Sequence, residues 1–299
     1  MTYYQFVQAV EDRMKEAVRD SVAVHIHTAE KNNGTIRRGI TLTEQNINIS
    51  PTIYLEEYYR QFQKGTTLEY ITADILRLYH EVRFQKPWGE EKINAYSKVK
   101  DEVIYRLVNL EENQKRLKDV PYIRYLDLAV VFYVLLEVTK YGTATMPVRN
   151  AHLDMWGVTK EELYRRASEN TCRLLPDEFS AMSAVIEELS GMAFGQEGRD
   201  DDGEWGEEMY VLSNRIRSYG AAAILYDNRL EGIGAYLKSN YYVLPSSVHE
   251  VIVIPEHAAV GKEELSAMVA EINRTQVEAE EVLSDRAYYY DREERRLCM

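Results

Sequence analysis

The chain has 299 residues, 45% of them hydrophobic and 28% charged, with a formal net charge of −13. That length suits one large domain or two medium ones, and the apolar share supports a sizeable core, which excludes a disordered chain. The acidic balance argues against nucleic acid or an anionic membrane as the main partner, and the sparse cysteines, Cys172 and Cys298, fit a reducing, cytoplasmic setting.

At the N-terminus MTYYQFVQAVEDRMKE lacks the layout of a signal peptide. Tyr3, Phe6, Val7, Val10 and Met14 instead fall at helical spacing and predict an amphipathic helix over 3–19. Val22, Val24 and Ile26 then alternate with Ala23, His25 and His27, which predicts a half-buried strand. KNNG at 31–34 turns the chain into a return strand over 35–42. A short strand is expected at 47–49. Ser50-Pro51 reads as a helix start, with Ser as N-cap and Pro in the first turn, and the helix stops at Gly65. Thr66 or Thr67 caps the next helix, which places Leu68, Ile71, Ile75, Leu78 and Tyr79 on one face. FQKPWGEEK, 84–92, breaks the pattern and marks a boundary.

Beyond it, 103–110 reads as a strand, 111–119 as a short polar helix, 122–136 as one or two strands and 143–148 as their partner. The longest apolar run, Leu128 to Leu136, is far short of the roughly 20 residues that a membrane-spanning helix needs, so it reads as a buried strand. Helices are expected at 150–155, at 159–171 (Thr159 and Glu162 forming a capping box) and at 177–190. Residues 195–208 form a polar loop. The last third predicts paired strands at 209–214 and 220–226, a helix capped by Asp227, strands at 240–247 and 250–256, a helix at 262–274 and a final strand in the tail. The fold class is therefore α/β, with α+β as the alternative. It comprises two mixed regions: 1–84, of α-β-β-α-α order, and 93–299, ending in a β-β-α-β-β-α unit.

Four phrases resemble one family: NISPTIYLEEYY, VNLEENQKRLKDVPYIRYLDLAVVFYVLL, NAHLDMWGVTKEELYRRASEN and YYVLPSSVHEVIVIPE. It is an uncharacterised bacterial family, domain of unknown function 5688, seen mostly in gut-type Gram-positive bacteria, and the resemblance covers nearly the whole chain. The central and C-terminal parts are also distantly similar to a second uncharacterised cytoplasmic family of Gram-positive bacteria. The resemblance implies a bacterial, cytosolic protein, associated with mobile elements, and carries over no catalytic residues.

The sharpest chemical candidate is the turn Pro245-Ser246-Ser247-Val248-His249-Glu250. A serine hydrolase needs a nucleophile, a base and an orienting acid, and Ser246 or Ser247, His249 and Glu250 offer all three. Glycine-rich elbow and oxyanion motifs are missing, and in an extended segment Glu250 points away from His249. The plainer reading is a strand-to-strand turn whose serines satisfy backbone groups. His25-x-His27 could begin a metal site, but it also matches the solvent side of a strand. Asp200-x-Asp202-x-Glu204 has the opening spacing of a calcium loop without its later ligands. Gly232-x-Gly234 falls inside a predicted helix, where glycines allow close packing, so it is no dinucleotide fingerprint. Cys172 reads as a buried thiol. The 23 tyrosines suit half-buried strands and interaction surfaces alike. The reading that follows is a non-catalytic binding or regulatory protein, with a protein partner or small ligand and no cofactor. The alternative is a hydrolase using Ser246 or Ser247 with His249.

Overall fold

The apolar stripe of the first segment folds as α1 (Tyr3–Ala17), whose start is fixed reciprocally. The Thr2 hydroxyl accepts the Gln5 N–H, and the Gln5 side chain accepts the Thr2 N–H. In this computed structural model the chain divides into two units, Met1–Ile93 and Asn94–Met299. The structure describes residues 1–19, 21–139, 142–190 and 209–299. No helix among them is long and apolar enough to cross a membrane.

In the first unit β1 (Val22–Glu30) and β2 (Ile36–Glu44) form an antiparallel hairpin, and β3 (Thr52–Tyr54) adds to the other side of β2. Two helices follow, α2 (Glu56–Gln63) and α3 (Leu68–Val82), the latter capped by the Thr67 hydroxyl. Phe6, Val10 and Met14 of α1 share one core with Ile40 and Leu42 of β2 and Ile71 and Ile75 of α3. The sequence reading differs here at one junction. Residues 47–49 are not a strand, and no helix begins at Pro51. The chain stays extended over 52–54 because β2 offers an open edge there, while Ile53 and Leu55 bury into the core. A proline just before a short edge strand removes no ladder hydrogen bond.

The second unit holds two antiparallel sheets. After α4 (Tyr96–Val99) come β4 (Val103–Asn109), β5 (Tyr122–Tyr125), β6 (Leu128–Thr139) and β7 (Gly142–Pro147). The long apolar β6 pairs with all three of the others. Residues 111–119, expected as a helix, form turns with a single 3-10 turn at Arg116–Lys118. The Asn109 carboxamide oxygen accepts the Glu111 and Glu112 N–H groups and so favours a local turn over a helix. Next are α5 (Asn150–Trp156) and α6 (Lys160–Leu174), the latter started by Thr159 accepting from the Glu162 N–H. Helix α6 lies on β4, where the Thr171 hydroxyl accepts the Tyr105 N–H at 3.1 Å.

The remaining elements are β8 (Asp177–Ala181), α7 (Met182–Ser190), β9 (Tyr210–Asn214), α8 (Arg229–Leu237), β10 (Tyr241–Leu244), β11 (Val251–Pro255), α9 (Lys262–Thr275), β12 (Tyr288–Asp291) and β13 (Arg296–Cys298). Their sheet has the order β13-β12-β10-β11-β9-β8. Three expectations change, the first being that α8, expected to be capped by Asp227, starts behind Asn228 with no side-chain cap. The 177–190 helix begins only at Met182, because Asp177–Ala181 pairs in full register with β9. Residues 220–226, expected as a strand, are a 3-10 helix over Gly220–Leu225 whose Ala221, Ala222 and Ala223 are buried. The β-β-α-β-β-α order therefore lacks its second strand, and β9 pairs with β8 and β11 instead. The two sheets are also tied together through Asp127, in the β5–β6 turn. It accepts hydrogen bonds from the Ser284 hydroxyl at 2.8 Å and from the Tyr288 hydroxyl.

Candidate functional site

The Ser-His turn between β10 and β11 is held by backbone bonds on both sides. Val248 N–H donates to the Glu281 carbonyl at 2.8 Å, and Leu283 N–H to the Ser246 carbonyl at 2.9 Å. On the other side Ala221 N–H donates to the Val248 carbonyl at 3.2 Å, and the Ser213 hydroxyl to the His249 carbonyl at 2.7 Å. These bonds pull the 245–249 turn, the 281–284 segment and the loop after β9 into one cluster.

That loop is built with unusual backbone. Arg217 and Tyr219 have φ values of 49° and 55°, a region that side chains disfavour, and such strain persists only where the surroundings over-determine it. The Asn214 carboxamide supplies part of that constraint, since it donates to the Ser218 carbonyl at 2.8 Å and accepts the Ser218 N–H at 3.2 Å. Gly220 supplies the rest. A Cβ there would sit 2.2 Å from Ser213 Oγ, 2.4 Å from the Asn214 nitrogen and 2.6 Å from the His249 carbonyl oxygen.

His249 has both ring nitrogens engaged. Nδ1 accepts the Tyr219 N–H at 3.3 Å, Nε2 lies 3.5 Å from Glu281 Oε1, and the ring packs 5.4 Å from the Tyr219 ring. Burial works against charge on this imidazole. The hydrogen bond and charge of Glu281, with help from Glu250, nonetheless hold its pKa above the ordinary histidine value. The Glu250 carboxyl is pushed up by burial, against the opposing pull of His249.

Tyr219 is also stacked by Arg106 of β4. The guanidinium carbon lies 3.7 Å from the Tyr219 ring centre and 4.4 Å from that of Tyr133. Arg106 is only 6% exposed, and its Nη2 donates to Thr143 Oγ1 at 2.8 Å. Tyr133, Arg106, Tyr219, His249 and Glu281 thus form one row of alternating ring and charge. Sequence reading had singled out His249 alone. Glu281 lies too far along the chain to be connected with it, but Arg106 did carry a signal, being a lone charge inside the apolar strand VIYRLVN.

The Ser247 hydroxyl accepts the His249 backbone N–H at 3.0 Å, the bond of a serine turn, and also bonds Glu250. Ser246 is half-buried. The acid that reaches the imidazole is Glu281. His25 is exposed, and His27 has Thr41 and Thr52 hydroxyls 3.3 Å from its two ring nitrogens. Among the described residues no three His, Cys, Asp or Glu side chains cluster as metal ligands. Asp200, Asp202 and Glu204 lie outside the described residues. Gly234 does allow close packing, against Arg292 and Tyr290, whereas Gly232 faces open space. Cys172 is half-buried rather than buried, and its thiol donates to the Glu169 carbonyl at 3.3 Å.

One pH dependence follows from the pair. A histidine whose folded pKa is raised adds stability that is fully present below about 6.5 and is lost as pH rises through the raised value. A double-mutant cycle of His249→Gln and Glu281→Gln is therefore expected to give a coupling of up to about 1 kcal/mol at pH 6, shrinking towards zero by pH 9. Denaturant titrations at the two pH values measure it, and equal coupling at both would contradict the charged pair.

No curated protein and no solved structure matches the chain. The model of a family of unknown function, DUF5688, matches residues 3–292, nearly the whole chain, and the protein belongs to that family.

Proposed function

We propose that the protein is a non-catalytic binding protein whose second unit captures a small oxyanion, a carboxylate or phosphate group, at Arg106. The observation that carries this reading is a buried guanidinium with no carboxylate in ion-pair distance among the described residues. A buried cation without a counter-charge is costly, and cation–π contacts to Tyr133 and Tyr219 offset only part of that cost. Arginine carries five N–H groups in a planar fork that matches oxyanions bidentately. The ring stack fixes the fork's plane, and the strained turn at Tyr219 keeps the second ring in place. His249 adds positive character as pH falls.

Calorimetric titration with citrate and with inorganic phosphate tests the reading. Saturable binding of one of them is expected, weakened about 10- to 100-fold by Arg106→Lys, which keeps the charge but loses the fork. The reading fails if neither probe binds, or if Arg106→Lys binds as the parent does.

A second reading starts from the His249–Glu281 contact, a base paired with an acid; Ser246 or Ser247 would act as nucleophile only by displacing the Tyr219 N–H from Nδ1. A fluorophosphonate probe decides it. Labelling that persists unchanged in the Ser246/Ser247 double alanine variant, or no labelling at all, rules it out.

A further inference from the structure

Helix α8 carries Arg229, Gly232, Ile233 and Tyr236 at positions i, i+3, i+4 and i+7, so all four share one face. That face looks onto the end of the six-stranded sheet, where the rings of Phe179 of β8 and Tyr210 of β9 stack on one another. Together with Ala181 these residues line a recess of about 310 Å³. It is distinct from the Arg106 row in every residue.

Its walls have a specific geometry. The Phe179 and Tyr210 rings are nearly parallel, 13° apart with centres 5.1 Å from each other. Tyr236 stands across both, at 87° and 88°, with centres 5.9 Å away. A stacked pair and a ring perpendicular to it therefore meet at a right angle. A flat ring stacked on one wall necessarily presents its edge to the other, and these are the two favourable arrangements of aromatic pairs. Tyr236 remains 67% exposed, so this wall is not consumed by the fold.

Gly232 leaves a notch in the wall of α8. Glycine inside a helix is unfavourable relative to alanine, and at Gly234 the close approach of Arg292 and Tyr290 accounts for it. At Gly232 an added Cβ would meet nothing within 4 Å, so internal packing does not require the glycine. What it does is leave the recess open on the helix side. At the rim lies Arg229. Its Nη2 is paired with Asp177 at 2.6 Å, its guanidinium lies 5.5 Å from the Phe179 ring, and its Nε is buried without a hydrogen-bond partner. The Arg229 side chain as a whole is 27% exposed, so its guanidinium gives the aromatic corner a charged donor rim suited to a ring that brings an acceptor with it.

We propose that this recess is a binding site for a small planar aromatic ligand that carries an oxygen or nitrogen acceptor on its edge. The flat ring stacks in the corner of Tyr236 with Phe179 and Tyr210, and the acceptor faces Arg229. Shape is set by the right-angled walls, and access by the glycine.

The test titrates the whole chain with indole-3-carboxamide and adenine as uncharged flat probes and with cyclohexanecarboxamide as a saturated control, followed by ligand-observed NMR. A flat probe is expected to bind saturably and at least about ten-fold more tightly than the control. Tyr236→Ala and Gly232→Leu should each weaken it by at least about ten-fold, while Arg106→Lys leaves it unchanged. Gly232→Ala guards against a folding artefact. As the better helix former it should raise the melting temperature by about 2 to 4 °C while weakening the flat probe. The proposal is overturned if no flat probe saturates, if cyclohexanecarboxamide binds equally well, or if Tyr236→Ala binds as the parent does.

Discussion

Gly220→Ala is expected to lower the melting temperature of the second unit by about 6 to 12 °C, equivalent to about 3 kcal/mol. One methyl group has this effect because of what surrounds it. Of the three atoms a Cβ would meet, two are backbone, the Asn214 nitrogen and the His249 carbonyl oxygen, at 2.4 and 2.6 Å. Neither can move alone. The Asn214 carboxamide is clamped onto Ser218, and the strand carrying it pairs with β8 and β11. The His249 carbonyl is tied to Ser213 and lies two residues before β11. The closest atom, Ser213 Oγ at 2.2 Å, could be deleted, yet Ser213→Ala would leave both backbone clashes in place. The double variant Ser213→Ala/Gly220→Ala should therefore not recover stability. The same shift displaces Tyr219 and His249, so citrate or phosphate binding should fall with it. Differential scanning calorimetry checks the first claim. A Gly220→Ala protein that melts with the parent would show that this turn is far looser than its contacts imply.

This glycine also shows why part of the fold could be read from sequence and part could not. Elements that depend on local pattern were legible. The apolar run at 128–136 forms the centre of its sheet, Thr159 starts α6, and the stripe of Leu68, Ile71, Ile75 and Tyr79 packs α3. Elements decided by a distant partner were not. Phe179 lies in a stretch that could be helical until β9 arrives to pair with it. Gly220 begins an apolar run with strand-like composition, but closure against Ser213 leaves no room for an extended ladder, and small alanines let the chain coil into the core. The site divides in the same way. His249 was found because serine, histidine and acid were adjacent in the sequence, a property that geometry then replaces with contacts to Tyr219 and Glu281. The aromatic recess had no sequence signal, because its three rings come from β8, β9 and α8.

The abundance of tyrosine leads to a second large effect, at alkaline pH. Tyr105, Tyr226, Tyr241 and Tyr288 are all buried, and burial pushes each phenol well above its ordinary range. Nearby groups push the same way, chiefly Asp127 on Tyr288 and Asp177 on Tyr226. A group whose folded pKa is raised contributes stability that is intact below the unfolded value, here about 10, and is lost as pH rises beyond it. Above pH 10 the unfolded chain releases four protons that the folded chain retains. Each costs about 1.4 kcal/mol per pH unit, so by pH 11 the loss is about 5 to 6 kcal/mol, comparable with the whole stability of a domain. Unfolding of the second unit is therefore expected near pH 11, with the buried tyrosines' share of the 295 nm tyrosinate absorbance rising in one cooperative step together with loss of circular dichroism. Two phenylalanine variants separate ionisation from hydrogen bonding. The Tyr105 hydroxyl is buried without a hydrogen-bond partner, so Tyr105→Phe should gain about 1 kcal/mol at pH 7 and also flatten the alkaline slope by about a quarter. Tyr288 donates to Asp127, so Tyr288→Phe should flatten the slope equally but lose about 1.5 to 3 kcal/mol at pH 7. Because both substitutions remove one titrating phenol and differ only in what its hydroxyl touches, equal stability of the two variants at pH 7 would refute the Asp127 contact. An unchanged alkaline slope in either would refute burial as the origin of the transition.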